Sequence, residues 1–196
     1  MEKIKVFDAV KIGSWEEVSG IQASTITKNE NDTQKLDGLI LRGYETKFKD
    51  SKNFNNEVYD TGCFDKFITD YFVTNGLNMP VTIQHGWRLN DFCGRVLLLE
   101  VNSVGFYFVV YVPRKLKDYD TIKTLIEEGI LQGFSKEGWS TDYEYRYKPN
   151  GDFDYIFIKE MELMNVSIVA SPANANNFEK IQEIKNGFNL DRKSVV

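Results

Sequence analysis

The chain has 196 residues, 42% hydrophobic and 27% charged, an ordinary globular balance for one domain with a small appendage. Its net charge of -5 argues against nucleic acid as the main partner, because phosphate binding needs a clustered basic surface. No apolar run approaches the roughly 20 residues that cross a bilayer, and the opening Met1-Glu2-Lys3-Ile4-Lys5 lacks the apolar core of a signal peptide. Cys63 and Cys93 form no CxxC pair, so they read as free thiols in a reducing compartment.

Residues 4–10 and 20–27 alternate weakly and predict short strands, with a loop over 11–19 between them. The polar run 28–35 has no apolar face. Residues 1–35 are therefore expected to be an N-terminal extension or arm, with the compact domain spanning 36–188 and a loose tail at 189–196. Leu36 to Phe48 predicts a strand in which Gly43 marks a bulge or a close approach. Phe64, Phe67, Ile68, Tyr71 and Phe72 recur at helical spacing, with Asp60 or Thr61 as cap and Gly76 as stop.

A short strand over 79–84 then leads to His85. Residues 92–101 and 106–112 predict a hairpin through Asn102 to Gly105, closed by Pro113, which has no N–H to give a ladder. Ile122, Leu125 and Ile126 predict a helix capped by Asp118 or Asp120 and stopped at Gly129. Tyr143, Tyr145 and Tyr147 lie at period two, a strand face within 133–147. A turn at 148–152, a long strand over 153–169, a turn at 171–174 and a last helix at 178–188 complete the order. The pattern predicts a mainly β, α+β fold: a small closed antiparallel barrel with helices packed outside.

His85 is the only histidine, so any imidazole chemistry is placed there. It ends a predicted strand and precedes Gly86, an edge position that can meet a cleft or simply solvent. A serine hydroxyl needs such a base within reach, and the base needs a third group to fix its orientation. Ser135 lies between Gly133 and Gly138, where the backbone can approach a substrate closely. Asn165 and Ser167 share one face of the last long strand, opposite Met164, Val166 and Ile168, and that face either borders a cleft or meets solvent. Glu160 and Glu162 have the parity of the core face, and either reaches His85 only past a bulge or if the strand begins later. No ligand spacing suggests zinc, and neither a metal nor a cofactor is expected. Cys93 lies inside an apolar strand and reads as packed, while Glu127-Glu128 reads as a solvated helix end.

In their order, several segments resemble the prohead proteases of HK97-type tailed phages. They are Gly43-Tyr44-Glu45, Gly62-Cys63-Phe64, His85 with Gly94-Arg95-Val96, Gly133-Phe134-Ser135, and the closing Leu163 to Asn174 with its Val166-Ser167 and Pro172-Ala173-Asn174. The match covers roughly residues 36–180. The resemblance implies a fold related to herpesvirus maturation proteases, a β-barrel ringed by helices. It also implies a serine endopeptidase that cleaves the scaffold region of a phage capsid protein inside the assembling prohead, in the host cytoplasm. His85 would be the base, Ser135 the nucleophile and Asn165 the orienting third member, with Ser167 or Glu162 as alternatives. A homo-oligomer is expected, with no nucleic acid or membrane partner. Where the family usually has Glu before Val-Ser, this chain has Asn165, which supplies no charge to an imidazolium. The alternative function is a non-catalytic assembly or scaffold-binding module on the same fold.

Overall fold

The computed structural model describes residues 4–11, 14–23, 26, 33–45, 52–53, 55–73, 79–102 and 105–170, with backbone alone at 4–11, 44–45 and 71–73. The turn expected at 171–174, the last helix at 178–188, the tail and the stop at Gly76 lie outside these residues.

Among the described residues nine strands form one sheet: β1 (Ile4–Lys11), β2 (Ser14–Gln22), β3 (Lys35–Glu45), β4 (Glu57–Tyr59), β5 (Pro80–Ile83), β6 (Phe92–Val101), β7 (Phe106–Pro113), β8 (Gly133–Tyr147) and β9 (Phe153–Val169). Their order is β1-β8-β9-β5-β6-β7-β3-β2, with β4 also paired to β9. Most pairs are antiparallel, but β4 and β5 both run parallel to β9.

The expected closed antiparallel barrel is thus corrected to an open, mixed sheet, because β1 and β2 end the hydrogen-bonded path without pairing with each other. A flat path of eight strands would hold those edges about 34 Å apart. Yet Lys11 and Ser14 are three residues apart in the chain, which limits their separation to about 11 Å. The sheet therefore curls until its edges approach at one corner.

The segment expected as an extension supplies both edge strands. Residues 14–19, expected as a loop, belong to β2. The alternation rule misses β2 because only Val18 along it is buried, as suits an edge strand with little core to face. Gly20, at φ +71°, sits at the shift of register between Ser19 and Ile21, a bulge that favours glycine.

The predicted hairpin is β6–β7, where Asn102 N–H donates to the Gly105 carbonyl at 3.0 Å and the Asn102 side chain accepts from Gly105 N–H. The first predicted helix is α1 (Asp65–Phe67), continued by a π-helical turn over Ile68–Val73, and it has no side-chain cap bond from Asp60 or Thr61. The second, α2 (Tyr119–Glu127), stops at Gly129, whose φ of +69° lets Ile130 N–H reach back to the Leu125 carbonyl.

The main core covers one face of the sheet. Phe64 stacks on Phe106 with centroids 4.2 Å apart, Phe108 meets Phe134 edge-on at 4.7 Å, and α2 adds Tyr119, Ile122 and Ile126. Lys136 is buried on this face with its ammonium 4.1 Å from the Tyr59 ring centre. A smaller cluster of Val18, Leu36, Ile40, Leu97, Val109 and Tyr111 covers the other face of β3, β6 and β7. Among the described residues no helix is long and apolar enough to cross a membrane.

Candidate active site

The long ladder between β8 and β9 positions the site. In register, Ser135 faces Ser167 and Glu137 faces Asn165. Directly opposed residues share a face, as do residues two apart on one strand. These four side chains therefore mark the corners of a rectangle on one face. Phe134, Lys136, Val166 and Ile168 point to the other face, into the main core. β5 lies alongside and adds Thr82, opposite Ser167.

The chain turns sharply after β5. Gln84 N–H donates to the Ile168 carbonyl at 3.0 Å, and Gly86 N–H returns to the Ile83 carbonyl at 2.9 Å. Gln84 and His85 both adopt left-handed backbone, at φ 51° and 57°, a costly conformation for side-chain-bearing residues. A Cβ at Gly86 would lie 2.3 Å from the Asp91 carboxylate, so a side chain there requires Asp91 to move. This turn carries the imidazole over the rectangle.

His85 Nδ1 is 3.3 Å from Ser167 Oγ and 3.8 Å from Glu137 Oε2. Those two groups occupy opposite corners, so the ring lies across the diagonal, with Ser135 and Asn165 at the remaining corners. Ser167 Oγ also bonds Thr82 Oγ1 at 2.7 Å. The Asn165 amide donates to Thr82 Oγ1 at 3.4 Å and to Glu137 Oε2 at 3.5 Å, and Trp87 Nε1–H donates to the same Oε2 at 3.1 Å. Asn165 Oδ1 is buried without a hydrogen-bond partner.

The structure thus brings His85, Ser135, Asn165 and Ser167 to one patch, with Ser167 in direct contact with the ring. The patch is closed, since Ser135 is 3% exposed and Asn165 and Ser167 are fully buried. Asn165 and Ser167 thus do not meet solvent directly, while the His85 side chain beside them is 29% exposed. A cleft of about 510 Å³ opens beside Trp87 instead, between Phe67 and the stretch Met161 to Met164.

Glu162 reaches the Asn165 side of β9 through a bulge. Glu137 pairs with Asn165 but Gly138 pairs with Leu163, leaving Met164 as the extra residue. Glu162 remains exposed, and Glu160 is occupied by Lys66 at 2.8 Å and Thr141 at 2.6 Å, which hold its carboxyl below the usual range. Gly138 is explained by the same bulge: a Cβ there would lie 2.3 Å from the Glu162 carbonyl oxygen. Cys93 is no rival nucleophile, since burial pushes its thiol up to about 12.

Two residues at the site escape the sequence reading, Thr82 and Glu137. The signal for Glu137 was present, because it follows Ser135 by two and so shares its face in any strand.

The fold is similar to that of the bacteriophage T4 capsid assembly protease, gp21, with a TM-score of 0.63 and 14% identity over 87% of this chain and 100% of that chain. No curated protein matches the chain significantly. The family model of the caudovirus prohead serine proteases matches residues 24–187, most of the chain. The chain belongs to the caudovirus prohead serine protease family.

Proposed function

We propose that the protein is an endopeptidase of capsid maturation, cleaving the scaffold region of a phage capsid protein within the assembling prohead. Ser135 attacks the peptide carbonyl, and its proton passes to His85, which later returns it to the leaving amine. The observation that carries this reading is the imidazole lying across a rectangle of which Ser135 is a corner. Nδ1 is turned to Ser167 and Glu137, so in this reading the proton exchange with Ser135 uses Nε2. The cleft beside Trp87 is the place for an extended polypeptide. Because Ser135 is covered, the turn carrying His85 to Asp91 must shift for substrate to enter.

A second reading is favoured by one distance: Ser167 Oγ is the hydroxyl in contact with His85, so Ser167 is the alternative nucleophile. Co-expression with the capsid protein tests both. Ser135→Ala and His85→Ala should each lower processing about 10³-fold or more, whereas Ser167→Ala should retain measurable processing. Processing that survives Ser135→Ala and is lost in Ser167→Ala transfers the role to Ser167. Absence of processing by the unmutated chain favours a non-catalytic assembly module, to which Asn165 in place of the family's acid would also be suited.

A further inference from the structure

We infer that Glu137, and not Asn165, is the positioning residue that orients His85 and stabilises its charged form; this rests on His85 being the base. Three donors converge on Glu137 Oε2: Trp87 Nε1 at 3.1 Å, Asn165 Nδ2 at 3.5 Å and, at ion-pair range, His85 Nδ1 at 3.8 Å. The carboxylate is 1% exposed, so solvent does little to screen it from the ring. Asn165 turns the wrong end toward this centre for an acceptor. Its NH₂ faces Glu137 and Thr82, and its carbonyl oxygen, the atom that could accept from imidazole, has no hydrogen-bond partner. Flipping the amide would set that oxygen against the Glu137 carboxylate. Asn165 therefore fixes Glu137, and Glu137 acts on His85. When Nε2 takes the serine proton, the new positive charge forms beside a buried carboxylate.

Near the ring, β9 brings the uncharged Asn165 and Ser167, and β5 the uncharged Thr82. The turn itself brings Arg88 and Asp91, whose carboxylate accepts Arg88 N–H at 2.7 Å.

Because His85 is the sole histidine, its ring resonance in an NMR pH titration of the full chain needs no assignment. Glu137→Gln should lower the imidazole pKa by about one unit or more, and Glu137→Asp, which keeps the charge, should lower it less. In the processing assay Glu137→Gln should reduce kcat by about 10²–10⁴-fold with little change in KM. It should also move the acid limb of the pH–rate profile to lower pH. An imidazole pKa unmoved by Glu137→Gln in a folded protein overturns the proposal, as does an equal fall in both variants. Should Glu137→Gln not fold, the unmutated chain still decides. Its native imidazole pKa should lie above the value in urea, and a native value below it overturns the proposal. The titration needs no activity, so it stands apart from the loss of processing in His85→Ala that tests the base itself.

Discussion

Ser135 stands directly across the β8–β9 ladder from Ser167, whose hydroxyl lies 3.3 Å from the only imidazole in the chain. The two hydroxyls are thereby fixed by backbone register, and the turn after β5 brings the ring to them. What holds them is a buried polar network, and its members are open to test.

Thr82 is the hub on the β5 side, bonding Ser167 at 2.7 Å and Asn165 at 3.4 Å. Thr82→Val keeps the shape and removes the hydroxyl, leaving buried groups unsatisfied. The expected cost is about 1–3 kcal/mol of stability. Chemical denaturation measures it, and an unchanged midpoint would remove Thr82 from the network.

Gly138 lets β8 approach the bulge of β9. Gly138→Ala puts a carbon 2.3 Å from a backbone oxygen, so the strands must part. The expected loss is about 1–3 kcal/mol. Processing should fall as well, because Glu137 and Asn165 are the adjoining pair. A stable, fully active alanine variant would show that the bulge is not needed.

Glu17 on β2 is bonded by Lys123, Tyr119 and Arg114, which together hold its carboxyl at about 2, against 4.5 for an ordinary one. The folded protein releases this proton more readily than the unfolded chain does. The stabilisation is therefore complete above about pH 4.5 and is lost as pH falls toward 2. Glu17→Gln should melt below the unmutated protein at pH 7, and the gap should narrow at pH 3. A gap independent of pH would assign the loss to packing.

Cys93 is 2% exposed and its thiol, raised to about 12, donates to the Val81 carbonyl at 3.5 Å. Cys63 is fully buried. Iodoacetamide at pH 8 should label neither in the native protein and both after unfolding, as mass spectrometry would show. Rapid native labelling of Cys93 would contradict the packing described.

Much of this was legible in the residues. A turn signal from Asn102 to Gly105 marked the β6–β7 hairpin, and a period-two pattern marked the tyrosine face of β8, where Tyr143 and Tyr145 now meet edge-on at 5.6 Å. Asn165 and Ser167 were placed on one face by alternation alone. The bulge that brings Glu162 round, however, shows only in pairing, since its signature is a mismatch between two strands. The parallel contacts of β9 with β4 and β5 are invisible for the same reason: they join stretches 99 and 85 residues apart. Glu137 was hidden by its company, a charged residue beside Lys136 that reads as surface. Instead the two point to opposite sides of one strand, and both are buried.

The parallel seam between β5 and β9 also sets a clock on the assembly of this patch. His85 is synthesised early, and Ser167 comes 82 residues later. Until that final strand slides between β8 and β5, base and hydroxyls sit on unconnected fragments of a growing polypeptide. A ribosome-bound chain that has not yet emitted Ile168 therefore lacks the buried patch on which Ser135, Ser167 and His85 meet.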